Sequence, residues 1–314
     1  MIKIENGIVI SYDRSQYYDE VILPEGVTEI GDNALAGIAC SRLVMPSTLK
    51  IVRAYGCNQA QISTIDFGEC KLETIEMCGF EDCTARATLP DTLKKIAARG
   101  ANLLLTSKDG KLVLPKAIRF MGTEAINLQG VSDIEVDEGS VTDECALADS
   151  LYSCVHECFS TILIHVMRDG KELYNFVLYR GESINSVYEW NFRYFFVDAN
   201  GLDFDIYDDC FMDIDRVMGK IEVAVNRLLV PYALPEETKE RYKKYAHSHY
   251  DMFVAGNEED LDVIRRYGEA DLISAKNLVR LLENAREKNL TEMTAYLLDL
   301  INRRKEIKAK SLKM

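Results

Sequence analysis

The sequence of 314 residues lacks several features that would place a protein in a functional class. No apolar run approaches the roughly 18 residues that a membrane span needs, and the first residues lack the apolar core, about 7 to 15 residues long, of a signal peptide. The net charge of −14 argues against nucleic acid or an anionic membrane as a partner, because both attract positive surface. These absences predict a cytoplasmic protein with neither kind of partner.

The motifs of the common catalytic classes are also missing. There is no Gly-x-Gly-x-x-Gly, no phosphate-binding loop, no Gly-x-Ser-x-Gly and no His-Glu-x-x-His, and only four histidines are present. An enzyme could still assemble a site from distant residues, so the missing motifs favour a non-enzyme without excluding an enzyme. We expect no catalytic residues and no cofactor.

The nine cysteines are an odd number without a Cys-x-x-Cys spacing, which favours reduced thiols over disulfides. Cys154 and Cys158 would share one face of a helix, but His156 lies two residues from each and points elsewhere. Structural thiols are therefore favoured over a metal site there. The aspartates of residues 198–215 lack the spacing of a calcium loop, which favours helix capping or solvated surface.

The sequence does contain an internal repeat. Four of the six prolines end a short apolar run, and two further runs keep the place without a proline. The residues that close these runs, the anchors, are Pro24, Pro46, Gly68, Pro90, Pro115 and Asp137. They are separated by steps of 22, 22, 22, 25 and 22 residues. Such a period indicates a repeat architecture, and we call each repeat a rung.

Each rung has further apolar positions at fixed distances from its anchor. Three residues past the anchor are Val27, Leu49, Leu93 and Ile118. Six residues past it are Ile30, Val52, Ile96 and Met121, and rung three has both positions one residue late, as Leu72 and Ile75. One rung alone buries too little apolar surface to offset the entropy of ordering it, so the rungs must stack. The sequence therefore predicts a solenoid of about six rungs.

The first rung carries the fullest pattern, Leu23-Pro24-Glu25-Gly26-Val27-Thr28-Glu29-Ile30-Gly31-Asp32-Asn33-Ala34-Leu35. It resembles the BspA-type leucine-rich repeat, whose usual form is Ile-Pro-x-x-Val-Thr-x-Ile-Gly-x-x-Ala-Phe-x-x-Cys. Rung three supplies a similar ending, Gly79-Phe80-Glu81-Asp82-Cys83, whereas rungs two, four and five keep only the apolar frame. The resemblance covers about 120 residues. It implies a solenoid used for protein contacts, with no shared catalytic residues.

The predicted fold class is α+β, with a β-rich leucine-rich-repeat solenoid, a β-hairpin segment and an all-α C-terminal region. Residues 1–20 form an N-terminal hairpin cap, residues 21–140 the solenoid, and residues 141–207 a capping helix and β-hairpin connector. Residues 208–314 form a helical domain. Two of its segments, 32 residues apart, are loosely similar to ankyrin repeats, and an unrelated helical bundle is the alternative.

Three local features each admit two interpretations. The extra length of rung four falls at residues 107–111, where a bulging loop is favoured over a binding loop. The alternating aromatic residues of 187–197 are more typical of a core than of an exposed stacking surface. His165, a polar residue in an apolar strand, is favoured as a packed, hydrogen-bonded histidine over a catalytic one.

Stacked rungs present columns of side chains, and two columns are candidate binding surfaces. The outward positions just before the anchors are Ile22, Val44, Asp66, Thr88, Val113 and Glu135. This column is either a contact patch or, as slightly favoured, a surface covered by later parts of the chain. The second column is Thr28, Lys50, Glu73, Lys94 and Arg119, with Lys95 beside it. Its positive charge could steer an acidic partner, although ordinary surface lysines are the simpler interpretation.

We therefore expect a non-enzymatic scaffold that binds a protein partner through its repeat surface. The alternative is a metal- or thiol-dependent regulatory protein that uses the cysteines and the aspartates of residues 198–215. Homo-oligomerisation through an uncapped end of the ladder is a third possibility.

Overall fold

The computed structural model describes residues 2–105, 110–141, 161–178, 202–214, 217–254 and 256–311. The chain divides into two compact units, Met1–Asp213 and Ile214–Met314. Several predicted features lie outside the described residues: the capping helix, the segment from Cys154 to Cys158, the aromatic stretch of residues 187–197, and most of the rung-four loop.

Unit one contains a β-solenoid of about six turns, each about 22 residues from the next. The anchors of rungs one, two, three and five each lie between a longer strand and a strand of two residues; Pro90 precedes a two-residue strand but follows no regular strand, and Asp137 ends the last longer strand. The longer strands are β3 Tyr17–Ile22, β5 Ala39–Val44, β7 Gln61–Asp66, β10 Lys111–Val113 and β12 Asp133–Asp137. The short strands are β4 Glu29–Ile30, β6 Ile51–Val52, β8 Thr74–Ile75, β9 Lys95–Ile96 and β11 Phe120–Met121. The predicted solenoid is confirmed.

The short strands form one continuous sheet. Strands β1 Lys3–Glu5 and β2 Ile8–Ser11 make the predicted N-terminal hairpin, and β2 pairs in parallel with β4. The turn residues Asn6 and Gly7 have φ of 51° and 77°, the left-handed geometry of a tight hairpin turn. Seven strands follow one another in the order β1-β2-β4-β6-β8-β9-β11, so the hairpin covers the first edge of this sheet.

The apolar positions predicted from the period form the core. The residues three past the anchor are at most 1% exposed: Val27, Leu49, Leu72, Leu93 and Ile118. Those six past it are fully buried: Ile30, Val52, Ile75, Ile96 and Met121. Rung three accommodates its extra residue next to the anchor Gly68, whose φ is +42°.

The corner after each anchor uses side chains to continue the ladder. Thr48 Oγ1 donates to the carbonyl of Val27 at 2.7 Å, and Thr92 Oγ1 donates to that of Leu72 at 2.8 Å. In the rung between them, Cys70 Sγ lies 3.5 Å from the carbonyl of Leu49. A buried carbonyl without a partner would cost stability, so these side chains supply the donor that the curving backbone does not.

Rungs one to five each turn through a residue in the left-handed region. These residues are Asn33, Tyr55, Cys78, Arg99 and Glu124, with φ between 52° and 57°. None is a glycine, so each carries a conformational cost of about 1 kcal/mol or more. The amides of the first four continue the ladder between rungs; that of Tyr55, for example, donates to the carbonyl of Met77 at 3.1 Å. Stacking therefore holds the turn where the local sequence disfavours it.

A second hairpin extends the longer-strand side. Strands β13 Ile162–Arg168 and β14 Lys171–Leu178 pair in antiparallel fashion, which confirms the hairpin predicted there. Strand β13 pairs in parallel with β12, so both strands continue the sheet of the last rungs. Helix α1 Phe204–Cys210 packs on this end, with the ring of Tyr207 6.1 Å from that of Phe176. Short 3₁₀ helices occupy Glu138–Ser140 and Phe211–Asp213.

Unit two is helical throughout its described residues, apart from turns. Its helices are α2 Val217–Leu229, α3 Glu236–Ser248, α4 Tyr250–Val254, α5 Leu261–Glu269, α6 Ala275–Glu287 and α7 Thr291–Ser311. Asp260 caps α5 by accepting from the amides of Asp262 and Val263, and Ser274 caps α6. None of the described helices combines the length and the apolar character that a membrane crossing requires.

The turns predict a stability difference between two equivalent positions. Gly37 and Gln59 occupy the same place in rungs one and two, both at positive φ, and the amide of each donates to the next rung at 2.8 Å. We expect Gln59→Gly to stabilise unit one by about 0.5 kcal/mol, because relief of strain exceeds the added entropy of the unfolded chain. Guanidinium denaturation followed by circular dichroism measures the change.

The matched control is Gly37→Ala. A Cβ at Gly37 meets no atom within 4 Å, so this substitution adds backbone strain without a steric clash. We expect it to destabilise unit one by about 1 kcal/mol. The same sign of change for both variants would contradict the equivalence of the two turns.

Candidate functional site

The outward side chains of the longer strands and of residues 86–89 form one surface, which we call the long-strand face. The predicted outward column divides into two parts here. Ile22, Val44 and Asp66 are direct neighbours on β3, β5 and β7. Val113 and Glu135 are neighbours on β10 and β12, in a different sheet. Thr88 lies between the two parts and belongs to no regular strand.

The exposure of this column differs from the covered surface that the sequence slightly favoured. Ile22 is 63% exposed and Val113 is 60% exposed, and Thr88 is also exposed. Val44, Asp66 and Glu135 are half-buried by their neighbours. The exposed β-branched apolar side chains of Ile22 in rung one and Val113 in rung five are therefore available for contact.

The hydrogen-bond ladder of this face is interrupted at rung four. In the regular pattern, the amide before each anchor donates to the next rung: Leu23 to Val44 at 3.1 Å, Met45 to Asp66 at 2.9 Å, and Leu114 to Glu135 at 2.9 Å. In the described part of the chain, the two equivalent bonds, from Phe67 to Thr88 and from Leu89 to Val113, are not formed. Thr88 and Leu89 are thus separated from both neighbouring strands, although Arg86 still pairs with β7 and Ala87 with Leu104.

Two features of the sequence explain the interruption. Rung four has Ala87 at a position where the other rungs have larger apolar residues, which weakens strand formation; those residues are Val21, Leu43, Ile65, Leu112 and Ile134. Its three extra residues also bring Leu104 beside Arg86, in the place that the period assigns to Lys111. The longer strands therefore divide into a three-stranded sheet, β3-β5-β7, and a four-stranded sheet, β10-β12-β13-β14. Among the described residues, the longer strands, unlike the short strands, thus form no single continuous sheet.

Two adjoining cavities of about 670 and 430 Å³ open at the interruption. We call them together the rung-four cleft. The larger lies between residues 86–89 and β10, and the smaller between β7 and residues 88–90. Asp66, Thr88 and Val113, three members of the predicted column, line the cleft. Its volume is in the range of ligand-binding pockets.

Positive charge predominates among the described residues that line the cleft. The lining contains three cationic side chains, those of Arg42, Arg86 and Lys111, and one carboxylate, that of Asp66. Arg42 pairs with Asp66 and, at 2.8 Å, with Glu20, and Lys111 pairs with Glu135. Hydrogen bonds to these carboxylates raise the pKa of Arg42 and of Lys111. Arg86 makes no ion pair with any described residue.

The residues that line the cleft without having been predicted as site residues include Arg86, Leu89 and Leu104. The three-residue insertion and Ala87 were visible signals of irregularity. Neither indicated that Thr88 and Leu89 would lack bonds to both neighbouring strands, because that depends on which residue lies beside Arg86.

The second predicted column lies on the other side of the anchors and is in register. The amides of Lys50, Glu73, Lys94 and Arg119 each donate to the preceding member at 2.8–2.9 Å. Much of its charge is already engaged. Lys94 pairs with Glu73 at 2.9 Å, Lys95 lies over the ring of Phe120, and Arg119 donates to Ser140 Oγ at 3.1 Å. These contacts reduce the charge available to an acidic partner.

His165 is held between two carboxylates. Its Nδ1 lies 2.6 Å from Glu172 and its Nε2 lies 3.1 Å from Asp133, which confirms the interpretation of a hydrogen-bonded histidine. Burial raises the pKa of Asp133, but hydrogen bonds from Ser132 and His165 outweigh it, so the net pKa is lowered.

The described thiols are inert at neutral pH. Cys40, Cys57, Cys70, Cys78, Cys83 and Cys210 are free and buried. Burial raises the pKa of Cys40, Cys70 and Cys83 to about 11, which leaves little nucleophilic thiolate. Within the described ranges, no three His, Cys, Asp or Glu side chains are placed to hold a metal ion. Asp203 caps helix α1, which confirms the capping interpretation for that aspartate.

Comparison with known proteins identifies no family for this chain. No family model matches the chain, and a search of curated proteins finds no similar sequence.

The carboxylate pair around His165 predicts a pH-dependent stability difference. Because the pKa of Asp133 is lowered by folding, its stabilisation is complete above the unfolded value of about 3.9 and is lost as the pH falls through the folded value. We expect Asp133→Asn to cost about 1 kcal/mol near pH 6 and progressively less below about pH 4. Urea denaturation at several pH values measures both quantities.

Asp19→Asn is the matched control, since Asp19 is an exposed aspartate on β3. We expect little change in stability from it at any of these pH values. A cost for Asp133→Asn that stays constant down to about pH 3 would contradict the assigned role of the carboxylate.

Proposed function

We propose that the protein is a non-enzymatic scaffold and binds a protein partner on its long-strand face. The observation that carries this proposal is the exposure of Ile22 and Val113 on a face that also holds an open cleft, which Val113 lines. An aliphatic side chain left in water forgoes about 1.5 to 3 kcal/mol that burial against a partner would recover. Protein interfaces combine buried apolar side chains with a polar rim, and this face offers apolar and charged side chains together.

The chemistry of the cleft supports binding rather than catalysis. Its described lining contains neither histidine nor cysteine, and its one carboxylate, Asp66, is neutralised by Arg42. General acid–base or nucleophilic catalysis needs a titratable group near its working pKa or an activated nucleophile, and these side chains supply neither.

The alternative of a thiol- or metal-dependent regulator has less support. The raised pKa of the buried thiols argues against their use as nucleophiles or ligands at neutral pH. Of the aspartate run, Asp203 is engaged in capping a helix. We therefore keep this function as the second candidate.

Two finer assignments belong to the same proposal. The residue pattern of rungs one and three supports placing the solenoid among BspA-type leucine-rich repeats, a family associated with protein contacts. The helical unit would then be a second, ankyrin-like interaction module in a cytoplasmic protein. The spacing of 32 residues between its two similar segments supports that assignment.

The proposal predicts that the exposed apolar side chains of Ile22 and Val113 contact the partner. We expect the double variant Ile22→Gln, Val113→Gln to lower the affinity for a captured protein at least about tenfold, because both substitutions remove exposed apolar surface without adding charge. The measurement is quantitative capture from native lysate with wild type and variant at equal concentrations, followed by titration of the captured protein.

Two further variants distinguish binding to the long-strand face from binding to the basic column. Lys71→Glu changes an exposed lysine away from both columns and serves as the control. Lys50→Glu, Lys94→Glu tests the basic column; Arg119 is left unchanged because it anchors Ser140. A partner lost only with the lysine variant would move the interface to the basic column, and a partner kept by every variant would sink the assignment to the solenoid.

A further inference from the structure

The rung-four cleft exposes backbone hydrogen-bonding groups as well as side chains. In the described part of the chain, Thr88 and Leu89 make no backbone hydrogen bond to another rung. The equivalent residues of rungs one and two, Ile22 with Leu23 and Val44 with Met45, are paired. Unpaired backbone groups beside an apolar wall favour the addition of a strand.

The opposite wall of the larger cavity is a strand with one open edge. Among the described strands, β10 stands at the end of its sheet and pairs with β12 alone. Successive residues of a strand direct their backbone groups to alternate sides. Because Leu112 and Leu114 face β12, the amide and carbonyl of Val113 face the cavity. Two open edges, at Leu89 and at Val113, thus border the same space.

The side chains around this space are mixed in character. Leu89 and Leu112 are buried in the wall, whereas Leu104 is 39% exposed at its mouth. Arg86 lines the same cavity and, unlike Arg42 two rungs earlier, has no carboxylate beside it among the described residues. A ligand that offers aliphatic side chains and one carboxylate would complement both features.

We propose that the larger cavity of the rung-four cleft binds an extended segment of a partner protein as an added β-strand. The segment pairs with the backbone of Leu89 on one side and of Val113 on the other, and it places an aspartate or glutamate at Arg86. This inference rests on the proposed scaffold function and specifies the kind of partner that the long-strand face receives.

The two-sided border determines the kind of segment. A strand that enters between two open edges must have both of its own edges free. An edge strand of a second copy of this chain has one edge already paired within its sheet, so it satisfies only one wall. The favoured occupant is therefore a segment without a sheet of its own, such as a linker or terminus of the partner.

The test uses labelled peptides of about eight residues in which valine and threonine alternate around one central aspartate. Fluorescence anisotropy measures their binding to the full chain. We expect replacement of the aspartate by lysine to weaken binding at least tenfold. The variant Arg86→Glu should reverse this preference, whereas the control Lys71→Glu should leave it unchanged.

Peptides that carry N-methyl groups test the backbone pairing separately. N-methylation of a central residue removes one amide donor, and a strand held on both sides loses affinity whichever of two successive central residues is methylated. We expect at least a tenfold loss for each, and little change for methylation at the peptide ends. Binding that tolerates both central methylations would overturn the added strand.

Other outcomes also count against the inference. Failure of the whole peptide panel to bind at about 1 mM would overturn it. Binding that appears only after residues 106–109 are replaced by glycines would identify that segment as the occupant instead. A concentration-dependent molar mass that Arg86→Glu abolishes would identify a second copy. If the panel fails while Ile22→Gln, Val113→Gln still loses a captured protein, the scaffold function stands and only the strand site falls.

Discussion

Hydrogen bonds between neighbouring rungs hold the solenoid together, and its other features depend on keeping those bonds in register. The amide of Lys50 donates to Thr28, that of Glu73 to Lys50, and the pattern continues to Arg119. Because this register places equivalent residues over one another, one apolar position in the repeat becomes a buried column and one outward position becomes a surface column. A single rung has neither, since its ladder groups and apolar side chains would face water.

The same register explains why the chain tolerates unfavourable turns. Tyr55, Arg99 and Glu124 adopt left-handed backbone conformations that side chains other than glycine disfavour. Each of the first two donates its amide to the next rung, and Arg99 also pairs with Glu124 at 2.7 Å. The hydrogen bonds between rungs outweigh the conformational free energy that each of these turns costs. In these turns, the stacking of the rungs therefore determines the backbone conformation, and the conformational preference of the individual residue does not.

The period made most of the solenoid predictable, because burial follows position in the repeat: Val27, Leu49 and Leu93 could be assigned to the core without a structure. The ion pair of Lys94 with Glu73 was also implicit in their column. The contact of Arg119 with Ser140 was not, since it depends on the turn after the last anchor. The open cleft was missed for a similar reason. An insertion reveals that the ladder must change, but the missing bonds at Thr88 and Leu89 depend on how the inserted segment packs.

The position of the insertion decides which side of the solenoid changes. The three extra residues precede Pro115, so the period is restored at that anchor, and Phe120 again pairs with Lys95 on the short-strand side. The continuous short-strand sheet therefore carries the stacking past the defect, while the long-strand face alone opens. A break through both sides would separate the rungs, whereas a break through one leaves a stable solenoid with an exposed gap. The short-strand side thus carries the stability of the solenoid, and the long-strand side of the same coil is free for the recognition that we propose.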